Sequence, residues 1–524
     1  MPLSYRPNWR LYPGLLMLLA TLLLTIAPAR AANLTAATEA ELIAAIQVVN
    51  AAGPGSHTIT LTADIALTAS APLLDNSNAT ELLLNGDGHT LDGGGHGPVL
   101  SVAAGTTVRV REATVTGGAA SDGAGIYNLG ALTVEQSRIT RNVAAGRGGG
   151  IFNTADLTVK DSTLDGNSAG EGGAVATTAH DADASLTILD GGIAGNGAGS
   201  GGGIFVRSKD GHSAAVTIKN VTFANNASTT GAGGAELLAG STGTLAATFM
   251  GARFHDGTGK SGGGILARSE GGNLSANVSG TTFAGNSANE GGGLALTAVG
   301  GGRTQLLLTG STLSGNQATQ AGGAIHEFAA GGGTTSLTLF NSTLSGNDAN
   351  GPGGGLHVAT DAGTAGANIV YSTFAGNSAG TGGGGLHTAA SGGGATATLT
   401  ATIITGASGA GPACARPSGN IVSTGYNLAG DDSCFLTQGN DQPGTAAGLL
   451  PLALNAPGAT ATHALSRGSA ALDRVPIGAA GCGTAIATDQ RGVPRPRPSG
   501  GHCDAGAYEL AQTVYGLFLP VALR

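Results

Sequence analysis

Short runs of alternating apolar and polar residues recur along most of the chain, as in Leu132-Thr133-Val134, Leu157-Thr158-Val159, Val216-Thr217-Ile218 and Leu337-Thr338-Leu339. Alternation carried by branched side chains marks strands with one buried face. Two further signatures share a period with these runs. One is a Gly-rich segment ending in an apolar residue, such as Gly148-Gly149-Gly150-Ile151, Gly201-Gly202-Gly203-Ile204 and Gly353-Gly354-Gly355-Leu356. The other is an apolar residue followed three positions later by Asn, as in Leu164/Asn167, Phe223/Asn226, Leu313/Asn316, Leu344/Asn347 and Phe374/Asn377. The copy containing Phe254 has Gly257 in place of Asn, and Gly233-Gly234-Ala235-Glu236 is a degenerate Gly segment.

A period of roughly 30 residues is the mark of a stacked repeat. Each unit holds two or three short strands joined by bends, and stacking places each strand about 4.8 Å from its copy in the next coil. Gly permits tight bends, and Asn tolerates the left-handed region while bonding local backbone. Stacked Asn amides are therefore expected to form a structural ladder rather than a row of sugar ligands. The fold class expected is all-β: a right-handed parallel β-helix, a pectate-lyase-like solenoid with an N-terminal capping helix.

The paired signatures resemble the polymorphic outer-membrane protein repeats, with their GGAI and FxxN motifs, and pectate-lyase-like β-helices more broadly. The resemblance covers about residues 85 to 400 and implies a fold rather than an activity, because this fold hosts many functions.

The ends of the chain read differently. Arg6 and Arg10, the apolar run Leu15 to Ile26, and Ala29-Arg30-Ala31 form an export-signal pattern over residues 1–31. Thr38-Glu39-Ala40-Glu41 is a capping-box pattern, and Leu42, Ile43, Ile46 and Val49 follow at helical spacing. A helix within 32–54 is thus expected to cover the open first coil, with repeats over 55–405. Residues 406–511 bring Pro and all four Cys, and 512–524 form a short apolar tail. In a secreted chain disulfides are the default for such Cys, and the local pairing Cys414–Cys434 with Cys482–Cys503 is expected among three connectivities. Their spacing suits a metal poorly. Gly468 to Asp473, Thr488 to Pro496 and Cys503 to Glu509 resemble the C-terminal module of "choice-of-anchor Q" β-helix proteins. That resemblance implies an extracellular or cell-surface protein tied to export or anchoring.

Composition supports a narrow interior, since Gly, Ala, Ser and Thr dominate and the one Trp lies in the export signal. Removing 1–31 takes away three Arg and no acid, leaving 20 basic and 32 acidic residues, a balance of −12. That argues against nucleic-acid partners. No second apolar run is long enough to span a membrane.

Catalytic chemistry leaves little trace. Glycosidases need paired carboxylates, and lyases of this fold use clustered acids with Ca²⁺. Glu171 and Glu290 precede Gly segments but not in adjacent coils, and Asp161 and Asp165 have no repeated partners. Gly95-His96-Gly97 resembles a short motif of β-helix glycosidases without its companion acids. One column does stand out. The residue after the Gly-segment apolar is His326, His357 and His387 in three successive coils, where earlier coils carry Tyr127, Phe152, Ala176, Phe205, Leu266 and Ala295. Alternation turns these imidazoles outward, with Glu327 on the opposite face from His326. The first reading of the column is packing. Weak binding of a divalent metal is the second, with crowding opposing simultaneous protonation and making the column responsive to mildly acid pH. The function expected is a secreted or cell-surface β-helix protein with a structural, adhesive or glycan-binding role, touching polysaccharide or other surface components. A polysaccharide lyase or glycoside hydrolase is the alternative.

Overall fold

The computed structural model describes residues 31–406 and 411–511. The export-signal residues before Ala31 and the 512–524 tail lie outside them. The chain is a parallel β-solenoid of about 12 coils. One coil shows the plan: Ile325–Ala330 forms a first face, Thr334–Phe340 a second and Thr343–Ser345 a third. Each strand pairs in parallel with its copies in the neighbouring coils, as in Leu294↔Ile325↔Leu356 on the first face.

Residues at the bends explain why the chain turns where it does. Between the second and third faces a column including Gln136, Asp161, Asn220, Asn341 and Tyr371 has positive φ. The following position is Ser137, Ser162, Ser342 or Ser372, with Val221 after Asn220 the exception, and the Ser311 and Ser342 amides donate to the Oγ of Ser342 and Ser372 at 3.2 and 3.3 Å. After the third face comes the Asn ladder. Asn316 Nδ2 donates to Asn347 Oδ1 at 2.9 Å and to Phe283 O at 3.1 Å, and Asn347 Nδ2 donates to Asn377 Oδ1 at 2.8 Å. All three side chains are buried, as a structural ladder requires.

The Gly257 coil is where this ladder lapses. A short sheet beside it divides there into a five-stranded part ending at Ala227–Ser228 and a four-stranded part starting at Ser287–Glu290. Thr258 joins the two only by isolated bridges. Inside, Phe223, Phe254 and Phe283 stack at 4.4 and 5.0 Å. The column continues through Leu313, Leu344 and Phe374, all fully buried.

The first coil begins earlier than the sequence pattern implies. Asn33–Ala36 is a strand that pairs with Ser56–Leu61, and helix α1 (Glu39–Asn50) is inserted between them. Thr38 Oγ1 accepts from the Glu41 amide at 3.3 Å, and Glu41 Oε2 accepts from the Ala37 amide at 2.8 Å. Leu42, Ala45, Ile46 and Val49 lie against the open coil, with Ile43 half-buried.

The stack also runs past residue 405. Cys414–Ala415, Asn420–Ser423 and Leu428–Ala429 extend the three faces by a further coil although the repeat signatures have faded. The disulfide Cys414–Cys434 fastens this coil, and Cys482–Cys503 ties the segment beyond, both as expected.

That segment folds back along the third face. Thr460 Oγ1 donates to Gly310 O at 2.8 Å, Gln490 Nε2 to Thr312 Oγ1 at 3.0 Å, and the Ala507 amide to Thr373 Oγ1 at 2.9 Å. Outward positions Thr312, Thr343 and Thr373 are consequently buried, whereas Thr163 and Arg253 at the same place in earlier coils are exposed. The residues that carry the anchor-module resemblance hold this clamp together. Asp489 accepts from the Arg491, Val493 and Glu509 amides, and Glu509 accepts from the Arg497 and Asp504 amides.

Candidate binding groove

The Gly segments place the first face against the preceding bend. Gly322 has φ +68°, and a Cβ there would lie 2.4 Å from Ile325 O. The chain doubles back so tightly that the residue after the apolar one sits in a corner. It points away from the core, as alternation demands, yet is covered by the bend. This corner column runs in register from Ser101 through Tyr127, Phe152, Phe205, Glu236 and Leu266 to His326, His357 and His387.

The three imidazoles therefore lie in line but are only 6–8% exposed. Ring centroids are 5.1 Å apart for His326–His357 and 5.0 Å for His357–His387. Burial, more than crowding, lowers the proton affinity of all three, and His357 is pushed down to about 2. Desolvation thus opposes protonation along the whole column, where the sequence pointed to crowding as the cause. Glu327 lies on the opposite face, fully buried in the lumen. Its Oε1 accepts from the Gly366 amide at 3.2 Å, while Oε2 has no partner.

The N-terminal part of the same corner is open and charged. Tyr127, half-buried, packs on Phe152 with centroids 5.4 Å apart. Arg147 lies 4.3 Å over the Phe152 ring and donates to both Asp122 oxygens, at 3.2 and 2.9 Å. Farther along, Arg207 lies over Phe205 and pairs with Glu171 at 2.9 Å. Tyr127, Arg147 and Phe152, but not the Glu171–Arg207 pair, border a cavity of about 480 Å³ with Thr178 and the loop His180–Asp183 on its other walls. In the sequence Tyr127 and Phe152 stand out only as predecessors of the histidines. Glu171 and Arg207 are 36 residues apart, so the pair is visible only once the coils are stacked.

Acids singled out for catalysis are not brought together. Glu171 and Glu290 occupy one column about four coils apart, roughly 19 Å, beyond the spacing of about 5–9.5 Å that glycoside hydrolysis uses. Arg138 holds Asp165 at 2.8 and 2.7 Å, and Lys160 lies 3.7 Å from Asp161. Burial raises the Glu236 carboxyl, eased by the Ala232 amide, which donates to it at 3.4 Å. This acid fastens a Gly turn.

Comparison with protein-family models, with curated proteins and with solved structures finds no match.

Proposed function

We propose that this chain is an extracellular or cell-surface β-solenoid that binds glycan, with the groove around Tyr127 as its contact site. The observation that carries this reading is an accessible aromatic ring, Tyr127, set beside the Asp122–Arg147 pair. Amphipathic rings offer apolar contact with polar groups at the rim, and fixed charged pairs supply hydrogen bonds that hydroxyl-rich ligands can share. Tyr127, Arg147 and the His180–Asp183 loop form a depression large enough for a few sugar units. Two disulfides fit an oxidising destination. The resemblance of the terminal module to choice-of-anchor Q proteins points the same way.

The test is affinity electrophoresis of the native chain and Tyr127→Ala in gels holding acidic or neutral polysaccharides. Retardation of the native chain, lost in the variant, is the expected result. Equal mobility in every gel overturns the reading. Product release, measured on the same polysaccharides, distinguishes binding from lyase or hydrolase chemistry.

A further inference from the structure

The histidine column has an unspent coordination capacity. The Nδ1 atoms of His326, His357 and His387 are buried without hydrogen-bond partners. A buried polar nitrogen left without a partner is disfavoured, and three in succession call for an explanation other than packing. Two imidazoles on one tetrahedral ion, each bonded at about 2.0–2.1 Å, place their centroids about 5 Å apart. The coil repeat sets the observed separations at 5.1 and 5.0 Å, as it sets Phe254–Phe283 at 5.0 Å, and this spacing admits such an ion. His326 and His387 are two coil steps apart, about 10 Å, so one ion takes an adjacent pair and not all three.

His387 ends the column at a cleft of about 560 Å³ that is open to solvent and bordered by Pro352, Thr381, Arg416 and Phe435. We propose that His357 and His387 together hold one divalent transition-metal ion of the zinc type, with water from this cleft completing the tetrahedron. Imidazole binds such ions in its neutral form, the form that burial of both rings favours. Two charged groups flank the column. Glu290 acts on His326 at its far end, and Arg416 stacks 3.8 Å over Phe435 at the cleft. The carboxylate favours the ion and the guanidinium opposes it, so affinity is expected to be moderate.

Calorimetric titration of the chelator-treated full chain with Zn²⁺ tests the site. His357→Phe and His387→Phe should each weaken the binding at least tenfold, while His326→Phe should leave it within about twofold. Unfolding midpoints confirm that the variants fold. Co²⁺ added to the native chain gives an independent readout, because a tetrahedral site with nitrogen ligands produces visible absorption far stronger than that of the aqueous ion. Absence of that absorption, loss of zinc heat in His326→Phe, or retention of it in His387→Phe overturns the proposal.

Discussion

Arg495 Nη1 lies 3.1 Å from Glu509 Oε2, and neither side chain reaches solvent. Arg495 also donates to the carbonyls of Asp504 and Gly506, both at 2.6 Å, and its guanidinium lies 4.6 Å over the Tyr371 ring. The pair thus joins the returning segment to itself and to the bend that precedes the third face of the stack. Burial raises the Glu509 carboxyl despite the facing arginine.

Removing one member of a buried pair strands the other, at a cost of about 3–5 kcal/mol. Arg495→Ala is therefore expected to loosen the clamp, with Glu509→Gln milder because the amide oxygen still accepts from one of the two backbone amides. Limited proteolysis should show new cleavage between Leu449 and Glu509 in Arg495→Ala. An unchanged digestion pattern would show that the clamp does not depend on the pair.

The column Leu313, Leu344 and Phe374 was legible in the sequence because each coil repeats the same inward position, and the Asn ladder was legible for the same reason. Three features were not. Alternation assigns His326 to the outward face but cannot say that a Gly bend roofs that position. Contacts such as Thr312 Oγ1 to Ala461 O join residues 149 apart, and no local pattern records them. The last coil was also hidden, since Cys414–Ala415 and Leu428–Ala429 keep the strand register without the Gly and Asn signatures.

Leu344 is fully buried between Leu313 and Phe374. Truncation to Ala should cost about 2–5 kcal/mol, the range for buried Leu cavities. Urea denaturation of the oxidised chain measures it, and a midpoint equal to the native one would mean the stack closes over the gap.

The two bridges close loops with sequence separations of 20 and 21. In the chain-entropy account each stabilises by roughly 3 kcal/mol. Replacing Cys414 and Cys434 together by Ser should lower the unfolding midpoint and fray the last coil first. Hydrogen exchange localises the loss, which is expected at Asn420–Ser423 rather than at Ile325–Ala330.

Glu327 gives the solenoid a pH dependence of definite sign. Burial in the lumen pushes its carboxyl up to about 7 from 4.5, with the Gly366 amide only partly offsetting it. Below pH 4.5 both folded and unfolded chains hold the proton, and the folded state bears no penalty from ionisation. Between pH 4.5 and 7 the unfolded chain releases the proton while the folded chain keeps it, so stability falls as pH rises and then levels off above 7. The shift corresponds to about 3 kcal/mol in order of magnitude. Glu327→Gln cannot ionise and lacks this slope. Other groups also titrate: the histidine column favours stability at higher pH, whereas Asp504 and Glu509, both raised by burial, act in the same sense as Glu327. The native-minus-variant difference cancels them. Denaturation of both proteins at pH 4, 6 and 8 should show the variant gaining on the native chain with each step. A constant difference would mean that water or a relaxed backbone already solvates the Glu327 carboxylate.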